Sequence, residues 1–203
     1  MLCLVVPSDP AWAAAAVADL DAVLADHAHC EMKAASNALS LAARHPEDAR
    51  VVLALTDLAR EEIGHFQEVL AWMGRRGVAL GPPPKDPYAG ALRLARIELG
   101  PARVPPLVDR LLVAALIEAR SCERFKLLVD ALAAEERHQE LRAFYARLLA
   151  AEAGHYRTFV ELATLAAGGD EMAVARRLTG LAALEGAIVT RLPRQSARPT
   201  MHG

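Results

Sequence analysis

The chain is poor in what would build a sheet, a disulfide framework or a membrane span. Aromatic residues make up 4 % of its 203 residues, and β-branched ones are sparse beside Ala and Leu, so strands are disfavoured and helix is favoured. Cysteine occurs three times (Cys3, Cys30, Cys122), an odd number with no CxxC spacing, which argues for a reducing compartment such as the cytoplasm. No apolar run approaches the roughly 20 residues that a bilayer requires. The opening Met1-Leu2-Cys3-Leu4-Val5-Val6 lacks basic residues and is cut by Pro7 and Pro10, so it is not read as a signal peptide. Net charge is −2, so a polyanionic partner would have to meet a local basic patch. With few aromatics there is no platform for stacking many bases.

What is present is long helical periodicity. The expected architecture is all-α: a four-helix bundle made of two helical hairpins joined by a crossover, with a further C-terminal helix. One domain is expected over residues 1–190, followed by a mobile Arg/Pro-rich tail from 191 to 203. The first helix should run from Pro10 to Arg44 with Leu20, Leu24, His27, Glu31, Ala35, Ala38 and Ala42 along one stripe. Pro46 ends it, and Asp48 caps a second helix to Met73 whose inner stripe is Val51, Leu55, Leu58, Glu62, His65, Val69 and Trp72. Residues 75–87 read as the crossover, 88–98 as a short helix. A third long helix starts at Pro105-Pro106, with Leu111, Ala115, Glu118, Cys122, Phe125, Val129 and Leu132 inward. The fourth carries Leu141, Tyr145, Leu148, Glu152, His155, Phe159 and Leu162 and stops at Gly168-Gly169; the fifth runs from Asp170 to Thr190.

Each of the four inner stripes places a carboxylate where an apolar side chain is expected, and two add a histidine three residues on: Glu62-Ile63-Gly64-His65-Phe66 and Glu152-Ala153-Gly154-His155-Tyr156. Residues three apart share a helix face, so each motif presents a carboxylate and an imidazole together. A lone buried carboxylate is unfavourable by several kcal/mol unless it is paired, protonated or bound to a cation. Glu31, Glu62, His65, Glu118, Glu152 and His155 therefore form a candidate ligand set, and mixed oxygen and imidazole donors suit iron or manganese better than magnesium.

Antiparallel partners at one height must be equidistant from their turn. Residues 46 and 47 lie midway between Glu31 and Glu62, and residue 135 lies midway between Glu118 and Glu152, inside the expected second turn. Glu123 is the alternative on the third helix, with a later midpoint and a less apolar stripe, and Glu118 is preferred. A third Glu-x-x-His, Glu135 to His138, falls in that turn and is read as solvated. His27 reads as a core histidine or a partner of a ligand; His29, His45 and His202 as exposed; Cys30 and Cys122 as small buried fillers; Tyr145, Tyr156 and Phe159 as packing. Gly64 and Gly154 permit close helix packing or substrate approach, or are relics of a duplication.

These residues resemble the ligand set of ferritin-like di-iron carboxylate proteins. More narrowly, the segments from Leu24 to Ala35, Ala59 to Phe66 and, most specifically, Ile117-Glu118-Ala119-Arg120-Ser121-Cys122-Glu123-Arg124-Phe125 resemble the MiaE-type tRNA hydroxylases. The resemblance implies hydroxylation of the isopentenyl group of 2-methylthio-isopentenyladenosine beside the anticodon. It implies two iron ions, dioxygen as co-substrate, an external reductase or ferredoxin as electron donor, and tRNA as partner. Arg75, Arg76, Lys85, Arg93, Arg96 and Arg103 are the candidate phosphate contacts; Arg176, Arg177, Arg191, Arg194 and Arg198 form a second basic group, and Arg120 and Arg124 are expected to pair with Glu123. A flipped single nucleotide suits the aromatic-poor surface better than extended single-strand binding. The alternatives are a metal-storage or peroxide-scavenging protein of the rubrerythrin or manganese-catalase kind, and a non-enzymatic helical interaction module.

Overall fold

The computed structural model describes residues 2–100, 103–192 and 199–201. Among them are seven α-helices and no strand. The helices are α1 (Ala11–Ala18), α2 (Leu20–Arg44), α3 (Ala49–Arg76), α4 (Pro87–Glu98), α5 (Pro106–Leu132), α6 (Gln139–Ala166) and α7 (Glu171–Arg191), with a single 3₁₀ turn at Glu136–His138 ahead of α6. No described helix is long and apolar enough to cross a membrane.

One helix expected from Pro10 to Arg44 is in fact two, α1 and α2, broken at Asp19. The Asp19 carboxylate accepts the Ala22 amide at 3.0 Å and so caps α2 anew. Asp is a poor interior residue because its short side chain competes for nearby backbone donors, and here that local bond replaces helix continuation.

The chain divides into two compact units, one built on Ala18–Lys85 with Met201 against it, the other on the residues up to Val17 together with α4 to α7. The first is the α2–α3 hairpin. Asp48 caps α3 by accepting from the Arg50 amide at 2.9 Å, and Gly77 closes it in the left-handed conformation (φ 69°) that glycine adopts without strain. Arg76 at the end of α3 donates to Asp21 at the start of α2 over 2.5 Å, tying the open end of the hairpin. Met201 is buried and its amide donates to Asp26 Oδ2 at 2.7 Å. Residues 193–198 and 202–203 of the expected tail, with Arg194, Arg198 and His202, lie outside the described residues.

In the second unit α5 is buried on nearly every face, from Leu107 to Phe125, and packs along α6, with α4 and α7 beside it. Its centre is ionic. Arg120, fully buried, donates from Nε and Nη2 to Glu185 of α7 at 2.7–3.0 Å, to the Val6 carbonyl at 3.0 Å and to Glu123. Tyr88 of α4 donates to Glu185 at 2.9 Å, and the Ser8 amide and hydroxyl donate to Glu123 at 2.9 and 2.5 Å. The N-terminal segment is thus fastened to α5 through Val6 and Ser8. Valines 5 and 6 also close on Gly186 of α7, where an added Cβ would lie 2.8 Å from one valine methyl and 2.9 Å from another. Gly186→Val is expected to lower stability by about 1–3 kcal/mol, the usual effect of overfilling a packed contact, measurable by urea denaturation.

Candidate metal centre

In the α2–α3 hairpin, helical spacing brings Glu31, Glu62 and His65 to one height. One ligand atom from each lies within 4.8 Å of the others. His65 Nδ1 is 3.4 Å from Glu62 Oε2 and 3.8 Å from Glu31 Oε2, and all three side chains are buried. His27, one turn before Glu31, is buried with Nε2 2.5 Å from Glu31 Oε1.

The α5–α6 hairpin repeats the pattern. Glu118, Glu152 and His155 are buried and mutually within 4.8 Å, and His155 Nδ1 is 3.5 Å from Glu152 Oε2. Glu118 takes this place, whereas Glu123 faces away and is held by Ser8 and Arg120. Burial works against ionisation of Glu123, but the two Ser8 donors and Arg120 outweigh it and hold its carboxyl below the usual range.

These clusters fit a hard or borderline cation. Two ligands bound at right angles about 2.1 Å from one ion are themselves about 3 Å apart, near the imidazole–carboxylate spacings seen in each hairpin. Two carboxylates gathered with one imidazole in a buried space repel unless a cation or a proton is present. Neighbouring Cys122 is in the same situation: burial and the Glu152 charge push its thiol up to about 12, so it stays a neutral filler donating weakly to the Leu149 carbonyl.

Several expected roles are revised by packing. His29 is buried, not exposed, and among the described residues no hydrogen-bond partner meets its Nε2. His138 is also buried, while Glu135 of the same motif is exposed and 4.0 Å away. Cys30 is half-buried. Arg124 does not pair directly with Glu123; its guanidinium lies over the Trp12 ring at 4.4 Å, and burial lowers its pKa to about 10. Arg177 leaves the second basic group, since its guanidinium binds Asp109 through two bonds of 2.6 and 2.7 Å.

Of the candidate phosphate contacts, Arg75 and Arg76 end α3 and Lys85 precedes α4. Arg75 stacks on Trp72 at 4.7 Å and Arg76 binds Asp21, although both remain exposed. Arg93 and Arg103 are exposed in the other unit; Arg96 is half-buried, its Nε donating to the Arg93 carbonyl.

The residue that pattern reading passed over is Glu185, fully buried on the apolar stripe Val174, Leu178, Leu181, Glu185 of α7. A carboxylate on an apolar stripe is the same signal that marks the two triads.

Gly64 and Gly154 do not serve close packing among the described residues, because a Cβ at either position would meet none of their atoms within 4 Å. Gly64→Ala and Gly154→Ala are each expected to raise thermal stability, by about 0.5–1 kcal/mol from helix propensity alone. Calorimetry on the purified variants checks this.

The helical arrangement, with a carboxylate and a Glu-x-x-His pair in each hairpin, is that of the ferritin-like class. It matches along its whole length a solved structure described as Protein 43 with aldehyde deformylating oxygenase activity from Synechococcus, with a TM-score of 0.86, 34 % identity, and coverage of 100 % of this chain and 96 % of that one. A family model described as tRNA-(MS[2]IO[6]A)-hydroxylase (MiaE) matches residues 2–202. The tRNA 2-(methylsulfanyl)-N(6)-isopentenyladenosine(37) hydroxylase of Pseudomonas putida is 45 % identical over 170 residues, 84 % of this chain and 78 % of that protein. The enzyme of the same name from Salmonella typhimurium is 36 % identical over 107 residues, 52 % of this chain and 36 % of that protein. The chain belongs to the MiaE family of tRNA hydroxylases.

Proposed function

We propose that this protein hydroxylates the isopentenyl side chain of 2-methylthio-N6-isopentenyladenosine next to the anticodon of tRNA. The observation that carries the reading is the family match over residues 2–202, joined to the two buried acid–imidazole triads. Family membership favours this activity over metal storage, peroxide scavenging or a purely structural helical module.

In this reading Glu31, Glu62 and His65, with Glu118, Glu152 and His155, supply the ligands of a non-haem di-iron centre. Two irons held there and reduced by an external donor would supply the oxygen-activating chemistry, with two electrons and two protons accompanying the entry of one atom of dioxygen into an unactivated C–H bond and the release of the other as water. The side chains of this chain do the rest. Burial of the six donors would keep bulk water from ions held there, and the four glutamates would balance the charge of two divalent ions. Within each hairpin, buried leucines (Leu24, Leu55 and Leu58 in one, Leu111 and Leu148 in the other) continue the stripes that carry the ligands, so the donors sit on apolar helix faces. The cytoplasm, where a ferredoxin- or reductase-type donor is at hand, is the proposed compartment.

The test is to incubate reduced, iron-loaded protein with hypomodified tRNA and oxygen, then digest the RNA for mass spectrometry. A gain of one oxygen on the isopentenyl adenosine is expected; its absence overturns the substrate assignment.

For tRNA binding, the exposed charges Lys85, Arg93 and Arg103, with Arg75 and Arg76 partly engaged, are the proposed phosphate contacts. Each contact adds about 0.7–0.9 to the slope of log affinity against log salt. Lys85→Ala is expected to weaken tRNA binding regardless of sequence and to reduce that slope by about one unit, read by fluorescence anisotropy. Binding of the free nucleoside should change little with salt.

A further inference from the structure

The two triads share a ligand set, and the residue one turn before the carboxylate of the first helix is a histidine in one hairpin and an alanine in the other. Glu31 divides its oxygens: Oε1 is 2.5 Å from His27 Nε2, whereas Oε2 is the atom on the side of His65 Nδ1, at 3.8 Å. Both members of the His27–Glu31 pair are buried, and their spacing of four residues means that α2 alone sets the contact. One turn before Glu118 the chain has Ala114, also buried, which offers no donor from that position. An imidazole N–H on an ionised carboxylate is a strong, directional bond, and in a buried setting it fixes which oxygen remains for a cation.

We propose that His27 is a positioning residue for Glu31: by holding Oε1 it leaves Oε2 as the oxygen offered to metal at the position that Glu31 and His65 serve. Hydrogen bonds to ligating carboxylates are worth about 10–100-fold in metal affinity. The position served by Glu31 and His65 therefore depends on His27, and the position served by Glu118 and His155 does not. The inference rests on the two-metal reading above.

The experiment titrates metal-free parent, His27→Ala and His27→Gln with Co²⁺, an absorbing divalent ion, in competition with a chelator, and records the melting curve of each metal-free protein. The parent is expected to bind in two steps. In His27→Ala one step should weaken by about 10–100-fold with the other nearly unchanged, the visible spectrum of the weakened step should alter, and His27→Gln, which keeps a side-chain N–H, should recover much of the loss. Two steps in His27→Ala that match the parent overturn the positioning role alone. So does an equal weakening of both steps that tracks a lower melting temperature and is not relieved by glutamine. A parent that binds no Co²⁺ overturns the two-metal reading and this inference with it.

Discussion

Glu152→Ala is expected to abolish hydroxylation, by roughly a hundredfold or more, and to remove metal without unfolding the protein. The magnitude follows from position. Changes in groups that merely support a ligand cost about 10–100-fold in affinity or activity, and Glu152 is proposed as a ligand itself. The stability argument runs the other way from that for an ordinary core residue. Glu152 is buried with Glu118 and His155, its Oε2 3.5 Å from the imidazole. In the metal-free protein two carboxylates held this close repel. Removing one relieves the repulsion and offsets the small cavity left behind, so the metal-free variant should melt within about 1 kcal/mol of the parent. The pairing of lost activity with retained stability is the diagnostic result, measured by turnover with tRNA and by calorimetry on metal-free samples. A variant that is active, or one that loses both together, would not fit a ligand.

Arg120 should show the reverse: little to do with chemistry, much to do with folding. It is fully buried, with its guanidinium on Glu185, Glu123 and the Val6 carbonyl. Burial pushes the Glu185 carboxyl up, against the pull of the Arg120 charge and of the Tyr88 hydroxyl. Arg120→Leu leaves both carboxylates without their cation, a change that typically costs about 3–5 kcal/mol. At about 2–4 °C per kcal/mol for a chain of this size, the melting temperature should fall by roughly 6–20 °C. The double variant Arg120→Leu with Glu185→Leu should recover part of this, because a well-packed apolar pair often replaces a buried ion pair at no loss. A fall below about 1 kcal/mol for Arg120→Leu would mean that the network is far more hydrated than its burial implies.

Most of the helical order was legible because its signals are local. Pro46, Gly77 and Gly168-Gly169 punctuate the chain, and the 3.6-residue period names the inner faces of α2, α3, α5 and α6. The juxtaposition of Glu31 with Glu62, and of Glu118 with Glu152, was also legible, since equal distance from a turn is a property of numbering alone. What escaped was decided elsewhere. Nothing in the Ala-rich run before Asp19 says that its side chain will cap Ala22 instead of continuing the helix. His29 lies off the inner stripe, so its burial comes from packing that its own helix does not encode. Arg177 looked like a surface cation until Asp109, 68 residues earlier, proved to be its partner. Glu185 needed no new principle, only the stripe rule applied to α7 as it was to the other four helices.

Iron per chain is the most direct measure of whether these triads do what their donors suggest. Protein loaded anaerobically with ferrous iron, desalted and assayed colorimetrically should hold close to two irons per chain, and chelation should lower its melting temperature. Substantially less than one iron per chain, with melting unchanged by chelator, would contradict the account.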